Sequence, residues 1–147
     1  MIEIKNIDFT ATFSVRHPVL RDGKPIESCF FDGDDLKTTV HFGLFYDKKL
    51  VGVISIFKNK NAIFSAQNQF QIRGMAVLKE CQGKNFGKQL LHQAEHHVIA
   101  QKGNLIWFNA RENAVPFYQN SSYEILGNSF EIKDIGTHYI MYKNLGQ

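Results

Sequence analysis

Apolar positions recur along this chain with two periods, and the switches between them mark the elements. Ile2 to Ile7 alternates apolar and polar, which predicts a first strand. Phe9, Phe13 and Arg16 then share a helical face, predicting a helix from Phe9 to Leu20 that Pro18 breaks. Arg21-Asp22-Gly23-Lys24-Pro25 is turn chemistry, and Glu27 to Leu36 reads as a loop carrying Asp32-Gly33-Asp34-Asp35. Thr39 to Tyr46 and Leu50 to Phe57 read as two strands of a hairpin turning at Asp47-Lys48-Lys49. A polar connection, Lys58 to Asn68, leads into a strand from Gln71 to Val77. Phe86, Leu90, Leu91, Ala94 and Val98 fall on one helical face, which predicts a helix to about Gln101 that stops at Gly103. Asn104 to Asn109 is a further strand, followed by a short helix, and Phe130 to Ile132 and His138 to Tyr142 read as the last two.

The order is therefore strand, helical region, three strands, helix, strand, helix, two strands. Strands in runs with packed helices between them predict an α/β layer with a central mixed sheet. At 147 residues the chain is expected to form a single domain with a core of its own. A formal charge of +3 suits an anionic ligand but is too small to argue for nucleic acid. Two cysteines, Cys29 and Cys81, suggest neither a disulfide framework nor a zinc site. The charged start, Met1-Ile2-Glu3-Ile4-Lys5, is no signal peptide, and no apolar run reaches membrane-spanning length. A cytoplasmic protein is the expectation.

The chemistry concentrates between the strand at Gln71–Val77 and the helix that follows. Gln82-Gly83-Lys84-Asn85-Phe86-Gly87-Lys88 places glycines, lysines and unpaired amides where a helix begins. Such a terminus carries partial positive charge and open N–H donors, so it suits an anion. The spacing rules out two familiar phosphate loops. A Walker loop aligned on Gly87-Lys88 has Gln82 and Gln89 where Gly and Ser or Thr are needed, and a dinucleotide fingerprint from Gly83 meets Asn85 and Lys88.

The hexapeptide instead resembles the acetyl-CoA motif of the GNAT N-acetyltransferase superfamily, Gln/Arg-x-x-Gly/Ala-x-Gly/Ala, matching at Gln82 and Gly87. Asn85 departs from the usual Gly or Ala, although Asn tolerates left-handed backbone better than most residues. Downstream, Asn113, Pro116, Phe117 and Tyr118 match a second motif of the superfamily, with Ser122-Tyr123 in place of its Gly-Phe. The resemblance spans roughly residues 40 to 143. It implies the GNAT fold, a twisted, mostly antiparallel mixed sheet flanked by helices, and acetyl transfer from acetyl-CoA directly to an amine.

The same resemblance implies roles for single residues. Met75, Ala76 and Val77 would line the pantetheine arm, with an N–H near Ala76 or Val77 stabilising the developing oxyanion. The amides of Gln82, Gly83, Lys84, Asn85, Phe86, Gly87 and Lys88 would hold the pyrophosphate, with charge from Lys84 and Lys88. Asn109 and Asn113 would add contacts to the co-substrate, and Tyr118 would be the general acid. A packed helix aromatic is the structural alternative for Tyr118. A non-catalytic acyl-CoA-binding module is the alternative for the whole chain.

Other candidates stay open. The general base is Glu27, Glu112, His138 or a water chain. Asp32, Asp34 and Asp35 could draw a cationic amine, though a solvated loop is the simpler reading. Arg16, Arg21 and Lys24 lie where the superfamily builds its acceptor wall, which hints at an acceptor with a carboxylate. The acceptor is a small-molecule or peptide amine, and a homodimer through the last strands fits the superfamily. His92-Gln93-Ala94-Glu95-His96 matches a zinc-peptidase pattern, but its histidines fall on the solvent side of the predicted helix, so no metal is expected.

Overall fold

The computed structural model describes residues 1–146. Its strands are β1 (Ile2–Ile7), β2 (Val40–Tyr46), β3 (Lys49–Phe57), β4 (Gln69–Val77), β5 (Leu105–Arg111), β6 (Glu124–Ile132) and β7 (Gly136–Asn144). They form one seven-stranded sheet in the order β1-β2-β3-β4-β5-β7-β6. Every neighbouring pair is antiparallel except β4 and β5, which run parallel. The mixed, mostly antiparallel α/β architecture is as expected.

Three α-helices pack on this sheet: α1 (Phe13–Leu20), α2 (Phe86–Ala100) and α3 (Val115–Gln119). The apolar stripe of α2 is the expected one, since Phe86, Leu90, Leu91, Ala94 and Val98 are all buried. That stripe joins Leu44, Ile54, Ile56, Ile72, Phe108, Ala110 and Tyr118 in the main core. On the other face, Val15 of α1 packs with Val53 and Ala76 in a smaller cluster. Successive strand residues point to opposite faces, so neighbours such as Val53 and Ile54 separate into the two clusters. Helices α1 and α2 thus cover opposite sides of the sheet.

The β2–β3 hairpin turns at Asp47 and Lys48, both at positive φ (49° and 70°), as a two-residue turn matched to strand twist requires. Several elements differ from the sequence reading. Pro18 lies inside α1 without breaking it, after a 3-10 turn at Phe9–Thr12. Proline forfeits only one backbone bond there, while buried Val15 and Arg16 anchor the helix. β6 begins six residues before the predicted Phe130, because its polar Gly127-Asn128-Ser129 stretch sits on an exposed edge and hides the pattern.

The segment 27–36 is a loop, as expected, but its acidic cluster is not wholly solvated. It contains the 3-10 turn Ile26–Cys29, and Phe31 and Asp34 are buried. Asp34 is buried because Arg16, also fully buried, pairs with it. Asp32 and Asp35 remain exposed. No helix among the described residues is long and apolar enough to cross a membrane.

Candidate active site

Strands β4 and β5 pair over only three residues, Gln69–Gln71 against Leu105–Trp107, and then splay apart. A cleft of about 930 Å³ opens at the splay. Its lining runs from the end of α1 across β4 to the start of α2, and from the end of β5 through α3 to the β6–β7 turn. The cleft therefore reaches both faces of the sheet.

Gly74 begins the distortion of β4. It has φ +69° and lies at a bulge between Val53 and Ser55 of β3, and a Cβ there would stand 2.9 Å from the Phe31 ring. A glycine inside a strand is a frequent sign of such a bulge. Beyond it the backbone direction can be read from the hydrogen bonds. Leu78 N–H donates to Val51 C=O at 2.9 Å, while Ala76 faces Val53 and Val77 faces Gly52. Successive residues of an antiparallel strand turn their N–H and C=O to opposite sides, so Val77 turns away from β3 towards the splay. Its carbonyl accepts from the Gln82 side chain at 3.0 Å. Gln82 thereby ties the loop to the strand, and the Val77 N–H faces the cleft.

At the loop, Asn85 is the N-cap of α2 with φ 72° and ψ 15°, a left-handed conformation. The departure from Gly or Ala is thus accommodated by a residue that tolerates this backbone. Gly83 is also left-handed at φ +83°, and a Cβ there would meet nothing within 4 Å. Gly87 is different: a Cβ would lie 3.3 Å from Phe117 Cζ, so its lack of a side chain lets α3 close on α2. These open amides at the start of a 15-residue helix suit an anion.

Comparison with known proteins agrees with this geometry. A family profile described as acetyltransferase (GNAT) domain matches residues 34–144. The uncharacterised N-acetyltransferase YitI of Bacillus subtilis (strain 168) is 32% identical over 145 residues, covering 99% of this chain and 97% of that protein. The chain belongs to the GNAT acetyltransferase family. It is an acetyl-CoA-dependent N-acetyltransferase. The same fold occurs in an aminoglycoside 6′-N-acetyltransferase complexed with coenzyme A, with a TM-score of 0.79 and 12% identity over 99% of this chain and 98% of that one. It also occurs in the ribosomal-protein-S18-alanine N-acetyltransferase of Escherichia coli, with a TM-score of 0.77 and 14% identity over 100% and 96%.

In this GNAT chain the cleft brings together Met75, Ala76, Val77, Gln82, Gly83, Asn85, Phe86, Gly87, Lys88, Asn109, Asn113 and Tyr118. Lys84 is not among the lining residues; its ammonium stands 5.8 Å from the Tyr46 ring centroid. Tyr118 is buried against Phe108 and Phe117, with ring centroids 4.4 and 5.1 Å away. Its hydroxyl makes no hydrogen bond among the described residues. It is nevertheless not occluded, since the one fully occluded side-chain polar atom without a partner among the described residues is Arg16 Nε. Tyr118 itself lines the cleft. Burial pushes its pKa up to about 12, so it keeps its proton at neutral pH.

Of the three candidate bases, only His138 lines the cleft; Glu27 and Glu112 are exposed outside it. His138 is buried, with Nδ1 2.8 Å from the Gly136 carbonyl. A carbonyl only accepts, so Nδ1 carries the hydrogen and Nε2 of the neutral ring keeps its lone pair. His92 and His96 are exposed on α2, as their helical phase predicted.

Sequence reasoning passed over Phe31, Arg73 and Arg111, which also line the cleft. Period-two alternation could have separated Arg73 from Ile72, but no local pattern announces that Phe31 folds over Gly74. Of the basic residues at the expected acceptor wall, Arg16 is taken by Asp34, Lys24 is exposed outside the cleft and Arg21 remains within it.

Proposed function

We propose that this chain transfers the acetyl group of acetyl-CoA directly to a primary amine, with residues 1–147 acting as one domain. The observation that carries the reading is a single cleft lined both by a left-handed, amide-rich helix start and by Tyr118, whose hydroxyl is not occluded. The binding of coenzyme A by an aminoglycoside 6′-N-acetyltransferase of the same fold supports it.

Acetyl-CoA supplies an acetyl group activated as a thioester. The amides of Gly83 to Lys88 and the Lys88 ammonium hold its pyrophosphate, and the bare Cα of Gly87 lets Phe117 of α3 close beside that loop. Met75 to Val77 offer strand edge to the pantetheine amides. The Val77 N–H donates to the thioester oxygen as negative charge builds there. His138 Nε2 takes the proton of the attacking amine, directly or through a water. The new C–N bond forms as the C–S bond breaks, and Tyr118 delivers its proton to the departing sulfur. His138 and Tyr118 are then restored by proton exchange with solvent.

Calorimetric titration with acetyl-CoA, beside desulfo-CoA and adenosine diphosphate, tests the reading. Micromolar binding with much of its free energy retained by the diphosphate is expected. Absence of acetyl-CoA binding would remove the loop from the mechanism and the reading with it.

A further inference from the structure

Three arginines line the cleft from different elements: Arg21 just after α1, Arg73 in β4 and Arg111 at the end of β5. Their position relative to the co-substrate loop follows from strand alternation. Ile72, Phe108 and Ala110 pack in the core beneath α2. Arg73 and Arg111, each next to one of these in a strand, therefore point to the α1 face. Lys88 and the pyrophosphate loop belong to α2 on the opposite face. The arginines accordingly mark the acceptor end of the cleft.

None of the three has an ion-pair partner among the described residues. Arg21 donates to the carbonyls of Ser28 and Leu20, and Arg73 to the carbonyl of Asp32. Asp34 and Asp32 both attract Arg73, but Asp34 is paired with Arg16, and Asp32, exposed outside the cleft, forms no ion pair with Arg73. The guanidinium carbons of Arg21 and Arg73 each lie 4.9 Å from the Phe31 ring centroid, so one buried ring gathers two cations at the cleft wall. No Asp or Glu lines the cleft. Burial, and for Arg21 the repulsion of Arg111, lowers the proton affinity of both Arg21 and Arg73. Gathered cations without a counter-charge are the signature of a place for an anion.

We propose that the acceptor amine carries an oxyanion, a carboxylate or a phosphate, which Arg21, Arg73 and Arg111 bind on the α1 side of the cleft; the assignment rests on the acetyltransferase reading above. Polycationic acceptors such as polyamines and aminoglycosides meet repulsion at this wall. The same positive field favours the neutral form of the reacting amine, because a nearby cation disfavours an ammonium. One set of residues thus both anchors the acceptor and readies its nitrogen.

The test pairs matched amines in a thiol-release assay with acetyl-CoA: amino acids against their amides, aminoalkyl phosphates against the corresponding amino alcohols, and spermidine and kanamycin as polycations. The expected result is a kcat/KM for the anionic member of a pair about tenfold or more above its neutral partner, with little turnover of the polycations. The better anionic series tells carboxylate from phosphate. Arg73→Gln should bring the ratio towards one mainly through KM. Arg111→Gln, at an exposed position, should lower the same ratio even if Arg73→Gln does not fold. Preference for neutral or polycationic amines, or no turnover of any anionic amine by protein that binds acetyl-CoA, overturns the assignment. Protein that does not bind acetyl-CoA overturns the reading beneath it instead.

Discussion

Arg16 and Asp34 form a two-pronged ion pair, Nη1 to Oδ2 at 2.6 Å and Nη2 to Oδ1 at 3.0 Å, with both side chains fully buried. The pair is held in a wider net. Arg16 also donates to the Cys29 carbonyl at 2.7 Å and to Ser55 Oγ at 2.9 Å, and Asp34 accepts from the Phe31 N–H at 2.8 Å. Helix α1, the segment carrying Phe31 and strand β3 are thereby locked together. Asp34→Ala leaves a buried guanidinium without its counter-charge, and such losses cost about 3–5 kcal/mol. Urea unfolding should show that drop as a lower midpoint. A loss below about 1 kcal/mol, the range of exposed pairs, would mean that the pair is solvated.

His41 extends the net and gives it a pH dependence. Its Nδ1 lies 2.6 Å from Ser55 Oγ and its Nε2 2.9 Å from the Asp34 carbonyl. Burial is the main cause that lowers its pKa below 6.5. The unfolded chain then binds a proton more readily than the folded one, so acid favours unfolding. Stability should fall as pH drops below about 6.5 and level off, for this group, once His41 is charged in the folded state. Melting temperature followed from pH 7.5 to 5 should show less of this acid slope in His41→Gln. An unchanged slope in that variant would assign the effect to other groups, His97 among them, whose pKa burial also lowers.

Tyr118→Phe removes a hydroxyl that has no partner among the described residues. The fold should barely notice, whereas kcat should fall roughly 10²- to 10⁴-fold, the range for a positioned acid, with acetyl-CoA affinity retained. Burial has raised this phenol to about 12, so the wild-type rate should show no alkaline loss due to Tyr118 near pH 10. Equal turnover in the variant would leave Tyr118 as a packed aromatic and nothing more.

Gly87→Leu tests the loop by opposing two effects. Leucine is the better helix residue, but its side chain must displace Phe117, which a Cβ alone would approach to 3.3 Å. Acetyl-CoA affinity should fall at least about tenfold, or 1.4 kcal/mol, while α2 stays helical by circular dichroism. Undiminished binding would take the diphosphate away from this loop.

The fold was legible where periodicity is strong. The α2 stripe was readable because its buried face repeats in strict phase, and the β2–β3 hairpin because two apolar runs flank a short polar turn. The shape of the loop before α2 was readable too, since it is local: strand β4, the connection 78–85 and the start of α2 lie consecutively. The cluster of arginines in the cleft was not. Arg21, Arg73 and Arg111 come from three elements, and only tertiary packing places two of them around Phe31. Asp34 misled for a related reason. In a run with Asp32 and Asp35 it looks solvated, and its burial depends on Arg16, eighteen residues away.

The short pairing of β4 with β5 has a mechanical corollary. Two plates, β1–β4 and β5–β7, are riveted at one end by three residue pairs, Gln69–Gln71 with Leu105–Trp107. From the rivet outward no backbone ladder fixes their separation. The gape is set by side chains packed across it, among them Phe117 against Gly87. An extended guest inserted between the plates can therefore serve as a missing rung, joining sheet halves that the polypeptide itself leaves apart.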